Sequence, residues 1–253
     1  MSRFPYGSYR RRIRVVATSA DVVEGGLEDD FHHFTVHLRH DGERVVVAEA
    51  GSFRWPWSTC PGAAEPLRAL AGMPLSDRCL AVGDWTDPRL NCTHMFDLAG
   101  LAVAQAARTA RGTADAMRQY DLEIPFGAQW GGERDVRVWR NGQLLHTWTL
   151  DGRRCVSPPP FSERPWRGGF LKWADATFPP EESESIIVLR RACDIGMGRG
   201  MDLDGYDCAD ELPAQQTAVC HTMQPSQVHV AVRNRGTTRD FDNDPDELLA
   251  GGP

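Results

Sequence analysis

The stretch Phe31-His32-His33-Phe34-Thr35-Val36-His37-Leu38-Arg39-His40-Asp41-Gly42-Glu43-Arg44-Val45-Val46-Val47-Ala48-Glu49-Ala50 decides how this chain folds. Apolar and polar residues alternate from Phe31 to Arg39, Asp41-Gly42 supplies a tight turn, and Arg44 to Ala50 returns as a second strand. Side chains on a strand alternate between faces, so Asp30, His32, Phe34, Val36 and Leu38 share one, and its apolar members mark it as the buried one. His33 and His37 then belong to an exposed face. Two ligand-type side chains, Asp30 and His32, are expected side by side, roughly 7 Å apart along the strand.

Working outward, residues 1–10 read as a loose arm, Arg11 to Thr18 as a strand, and Glu24-Gly25-Gly26 as a turn or loop. The basic run Arg10, Arg11, Arg12, Arg14 reads as a solvated strand edge. On the C-terminal side, Pro61 suits a first helical position, and a helix to Leu70 should stop at Gly72. A loop spans Ser76 to Leu90. Met95, Leu98, Leu101, Ala102 and Gln105 then give the period of a long helix, from Cys92 or Thr93 to Arg111. Residues 113–125 read as a bridge. Beyond them come a strand from Asp135 to Arg140, an Asn141-Gly142 turn and a strand from Leu144 to Leu150. Cys155 to Gly169 reads as a loop, and Glu181 to Cys193 as a helix broken by Gly196, Gly198 and Gly200. Val228 to Val232 reads as a short strand, and the acidic tail after Asp240 as frayed. No internal repeat is visible. The expected fold is α+β: an antiparallel sheet with helices on one face in residues 1–112, and a mixed strand/helix half in 113–253 packed on it.

Composition narrows the function. The 253 residues are 41% hydrophobic and 25% charged, as in a globular protein with a sizeable core. A net charge of −7 leaves no electrostatic footprint for nucleic acid or an anionic membrane. No apolar run is long enough for a membrane span, and the first residues lack the apolar segment of a signal peptide. Seven dispersed cysteines argue for reduced thiols over a disulfide framework. Lys172 is the sole lysine, a bias of GC-rich coding. The expectation is a cytoplasmic protein with a small-molecule substrate, no nucleic-acid or membrane partner, and room for homo-oligomerisation.

Cys60 directly precedes the Pro61 helix and Cys92 the long helix, where helix N–H groups favour a thiolate. His94 follows two residues later. Asp30, His32, Cys60 and Cys92 are therefore candidate ligands of a divalent metal, zinc or iron, with His94 or Asp29 as general base. No C-x-x-C or H-E-x-x-H motif is present, so spacing alone favours the plain alternative: core thiols, a loop-capping Asp30 and a satisfied core His32. Arg54 could clamp a carboxylate, and Trp55 and Trp57 could line a pocket for a flat or apolar substrate. Cys220 and His221 are adjacent and point apart on an extended chain. Gly196-x-Gly198-x-Gly200 follows a helix and is no dinucleotide fingerprint.

Residues 11–111 present an Asp near a strand, a hairpin, Cys60 at a helix start, Gly72-Met73-Pro74-Leu75, and Cys92-Thr93-His94 opening a helix. In that order they resemble the iron–sulfur cluster assembly scaffolds of the SufE/NifU-like fold, which implies a site formed by Asp30, Cys60, Cys92 and His94. Two departures stand out: Glu28 occupies a scaffold cysteine position, and Thr93 separates Cys92 from His94. The resulting mixed N/O/S set suits zinc or mononuclear iron better than a cluster. The chain also resembles a bacterial family of unknown function, on Leu27-Glu28-Asp29-Asp30-Phe31-His32-His33-Phe34, Arg54-Trp55-Pro56-Trp57-Ser58-Thr59-Cys60-Pro61 and Cys92-Thr93-His94. That resemblance implies a bacterial origin and a shared site but no reaction. Three functions follow as expectations: a metal-dependent hydrolase, lyase or isomerase on a small organic substrate; a non-catalytic metal or iron–sulfur carrier; and a metal-free enzyme with Cys92 as nucleophile and His94 as base.

Overall fold

A computed structural model describes residues 6–113, 115–126, 132–213 and 219–253. Strands β1 (Ser8–Ala17), β2 (Val22–Asp29), β3 (His33–His40) and β4 (Val45–Arg54) are followed by helix α1 (Thr93–Ala110). Strands β5 (Met117–Pro125), β6 (Glu133–Arg140), β7 (Gln143–Asp151) and β8 (Arg154–Ser157) precede helices α2 (Phe170–Thr177) and α3 (Pro180–Gly196). The strands form one antiparallel sheet in the order β4-β3-β2-β1-β5-β6-β7-β8. Alternation places Tyr9, Arg11, Ile13 and Val15 on one face. The register continues it through Leu27 and Phe34 on one side and Tyr120 and Leu122 on the other. α1 covers this face over β1–β3 and α3 covers it over β5 and β6.

The order is palindromic. Each half is a four-stranded meander followed by a helix, and the first strands of the two halves pair with Ile13 opposite Tyr120. The duplication is one of topology and left no visible sequence repeat. Residues 113–125, expected as a bridge, include the central strand β5, whose Tyr120, Leu122 and Ile124 alternate into the core. Glu24-Gly25-Gly26, expected as a turn, lies inside β2. Both glycines are there for close approach: a Cβ on Gly25 would sit 3.0 Å from the Leu98 side chain of α1, and one on Gly26 would sit 2.7 Å from the Pro253 backbone.

Other expectations also yield to tertiary contacts. The segment Cys60–Leu70 is 3₁₀ rather than α, because Pro66 lies inside it and cannot donate an i→i−4 bond. Val228–Val230 is a 3₁₀ turn and no strand follows; Val232 makes only an isolated bridge to Cys208. The tail after Asp240 is docked, with Phe241, Leu248 and Leu249 buried. Its backbone is gripped by the supposedly solvated arginines: Arg12 donates to the Leu248 carbonyl at 3.1 Å and Arg14 to that of Leu249 at 3.3 Å.

α1 is buried nearly all round, since the 3₁₀ segment Cys79–Asp84 packs on it opposite the sheet. Gly100 permits this approach; an added Cβ would lie 2.1 Å from the Cys79 carbonyl oxygen. Gly100→Ala should therefore lower the unfolding free energy in urea by about 1–3 kcal/mol. Gly83→Ala, whose Cβ would meet only the Phe96 ring at 3.6 Å, should be tolerated.

Candidate active site

The end of β2 builds the site. β2 stops at Asp29 and β3 starts at His33, so Asp30, Phe31 and His32 form the connecting turn. Asp29 closes that turn: its Oδ1 accepts from the backbone N–H groups of Phe31 and His32, both at 2.8 Å. Its Oδ2 accepts from Tyr9 Oη at 2.7 Å, Arg11 Nη2 at 2.6 Å and Arg11 Nε at 3.1 Å. The carboxylate is fully buried. Burial alone would push its pKa up; the His32 and Arg11 side chains reverse that and hold it well below the usual carboxylate range.

His32 turns back over this carboxylate, with Nδ1 3.0 Å from Asp29 Oδ1. An ionised acceptor there assigns the proton to Nδ1 and leaves the Nε2 lone pair free. His94, in the first turn of α1, stacks on His32 with ring centroids 3.8 Å apart and an interplanar angle of 32°. Its Nδ1 lies 3.6 Å from Cys92 Sγ, and its Nε2 lies 3.8 Å from Asp29 Oδ2 and has no hydrogen-bond partner. Burial lowers the pKa of both imidazoles, that of His94 strongly, so both are neutral near pH 7. Asp29, His32 and His94 offer three ligand-type atoms within 4.8 Å of one another.

The other expected site residues divide. Asp30 does not lie beside His32, because the strand ends one residue before it; its Oδ2 instead accepts from Arg199 Nη1 at 2.6 Å. Arg54 is spent within the fold, pairing with Glu28 Oε1 at 3.2 Å and donating to the carbonyls of Asp30 at 2.9 Å and His32 at 3.3 Å, and so braces the turn. Trp55 lies away from the cavity described below, whereas Trp57 lines it. Cys60 and Cys92 line the same cavity, yet burial pushes both thiols up, Cys60 to about 11, against the expected thiolates. Cys60 Sγ lies 3.4 Å from Thr222 Oγ1. His221 points away from Cys220, towards the Leu90 carbonyl.

His32 and His94 open on a cavity of about 510 Å³, walled by Phe31, Trp57, Ile195, Met197, Leu212 and Met223 among others. This is the size and character of a small-molecule site. Gly198 lets the chain after α3 close over the Phe31 ring, where a Cβ would sit at 3.3 Å. Tyr9 and Arg11, which fix Asp29, escaped the sequence reading; their alternation on one face of β1 was the available signal. Arg153, Arg167 and Arg191 also reach the cavity, from loops and a helix with no local motif to mark them.

Residues 14–108 match the model of a family described as a protein of unknown function, DUF2889. The matched stretch is less than half of the chain. It carries Asp29, His32, Cys60, Cys92 and His94, while the cavity wall after Arg108 comes from outside the DUF2889 segment. No curated protein matches the chain. Among the described residues, no helix is long and apolar enough to cross a membrane.

Two outcomes test this geometry. Arg11→Met leaves Asp29 buried with a major positive partner removed and should cost about 3–5 kcal/mol of stability, much of it recovered by adding Asp29→Asn. The imidazoles give a pH signature. Their folded pKa values lie below the ordinary 6.5 of an unfolded histidine, so the unfolded chain binds more protons under acid conditions. Their contribution is complete above pH 6.5 and is lost as pH falls, at up to about 1.4 kcal/mol per pH unit per histidine. Asp30, raised by burial to about 7, works in the opposite sense between its ordinary 3.8 and 7. The diagnostic measurement is therefore a comparison: His94→Gln should lose less stability than the native chain in urea titrations between pH 7 and 5.

Proposed function

We propose that the chain is an enzyme performing acid–base chemistry on a small organic substrate, as a hydrolase, lyase or isomerase. His32 is the general base, Asp29 orients it, and His94 is the second imidazole. The observation that carries this reading is the neutral, stacked pair of histidines facing a walled cavity, with one of them locked by a saturated carboxylate. Nδ1–H donation to Asp29 fixes the ring and stabilises the imidazolium that forms when Nε2 takes a proton. A base with a lowered pKa is deprotonated at neutral pH. All seven cysteines are free, which fits a reducing compartment such as the bacterial cytoplasm.

A second reading is metal-dependent chemistry, with zinc or iron on His32, His94 and Asp29. Two observations favour it: the spacing of the three ligand atoms, and the buried His94 Nε2 with no partner. The metal would polarise a carbonyl or activate water. Against it, Asp29 already accepts from Tyr9, Arg11, His32 and two backbone amides, so an ion would have to displace donors from it. The iron–sulfur carrier suggested by the SufE/NifU resemblance has less support, because Asp30 is engaged by Arg199 and burial disfavours thiolates at Cys60 and Cys92. The same burial weakens Cys92 as a nucleophile, although His94 is close to it.

The test is a turnover screen of the purified chain on carboxylic esters, thioesters, hydroxy acids and unsaturated acids, with metal analysis alongside. His32→Gln should lower kcat by about 10²–10⁴-fold, with native turnover surviving chelation. Turnover lost to a chelator and restored by zinc or iron selects the second reading. An undiminished kcat in His32→Gln sinks both.

A further inference from the structure

We infer that the cavity takes a substrate with an anionic headgroup on an apolar body, the anion being held at the mouth by Arg153 and Arg167. This rests on the reading of the cavity as a substrate site and adds the substrate class. The argument is a charge balance along the wall. Five charged side chains line the cavity: Arg89, Arg153, Arg167, Arg191 and Asp194. Three have an opposite charge of their own. Arg89 is paired with Asp87 at 2.9 Å, Arg191 with Asp97 at 3.1 Å, and Asp194 with Arg190. Arg153 and Arg167 have no hydrogen-bond or ion-pair partner for their guanidinium groups among the described residues. The uncompensated charge of the wall is thus positive and comes from two exposed arginines on separate loops.

Their placement gives the charge a direction. Arg153 lies in the turn between β7 and β8, where Gly152 takes φ +57°, and Arg167 lies in the loop leading to α2. Both belong to the second half of the chain, whereas His32 and His94 come from the first. A substrate would span the two, with its anion on the arginines, its body against Phe31, Trp57, Ile195 and Met223, and its reacting atom at the imidazoles. Guanidinium forks suit carboxylates and phosphates alike. Arg54, the arginine expected from sequence to clamp a carboxylate, is already engaged by the Glu28 carboxylate at 3.2 Å and by the backbone of the β2–β3 turn.

The experiment is isothermal titration of the full chain with 4-phenylbutyrate, its neutral amide 4-phenylbutyramide, and 3-phenylpropyl phosphate. At least one anion should bind about ten-fold or more tightly than the amide, and the preference should weaken with salt. The tighter of the two anions assigns the headgroup as carboxylate or phosphate. Arg153→Gln/Arg167→Gln alters exposed side chains, so its melting temperature should match the native one, while the anion preference falls to near parity and amide binding persists. Equal binding of anions and amide to the native chain, or a preference that survives the double variant, overturns the inference. His32→Gln separates it from the catalytic reading: that variant should keep the anion preference, and an intact preference beside an undiminished kcat would leave a binding site that does not catalyse through His32.

Discussion

Everything at this site depends on keeping one carboxylate ionised where water cannot reach it. Asp29 is fully buried, and a buried anion is tolerated only when opposite charge and hydrogen bonds replace its hydration. Arg11 supplies the charge, Tyr9 a third direction of donation, and the turn amides of Phe31 and His32 the rest. The same bonds that neutralise Asp29 also end β2, shape the turn and set His32 at a fixed angle. Folding and site assembly are in this respect one event, since the turn cannot form without presenting the imidazole.

The palindromic sheet shows what is specific to this half. The second half contains a parallel arrangement, in which Tyr120 and Arg118 of β5 donate to the buried Glu184 of α3, at 2.5 and 3.0 Å. Arg108 of α1 joins them at 2.7 Å. Each central strand thus offers a tyrosine and an arginine two residues apart to one buried carboxylate. In the second half that carboxylate ties α1 to α3 and meets no histidine there. In the first half it carries His32 and leaves a cavity beside it. One cluster acts as a clamp between helices and the other as the foundation of a site.

The two halves also divide the labour around the cavity. The DUF2889 segment brings the imidazoles and two of the thiols, and the later residues bring much of the apolar wall and the unpaired arginines. Shared access to one cavity follows from the continuous sheet, because pairing of β1 with β5 sets the ends of both halves in a fixed relation.

Local chemistry was legible in the sequence wherever it was strong. The β3–β4 hairpin, the Asn141-Gly142 turn with both residues at positive φ, the long α1 and the helix through Glu181 to Cys193 all follow from period and turn residues. The residues around His32, Cys60, Cys92 and His94 also stood out, because such side chains are conspicuous near predicted element starts. The errors share one cause. Gly25-Gly26 looked like a turn because glycine's local preference is for turns, and only the approach of Leu98 and Pro253 explains it within a strand. Asp30 rather than Asp29 was expected beside His32 because the alternation of β3 was carried back through the three-residue turn that Asp29 itself closes. Arg12 and Arg14 of β1, the docked tail they hold and the cavity arginines act on residues more than a hundred positions away, or from segments with no periodic signal. The sequence by itself therefore determined the strongly patterned elements and the inventory of reactive side chains. Which carboxylate meets which histidine, and which arginines remain unpaired, was decided by tertiary structure, because burial and ion pairing are properties of neighbours in space.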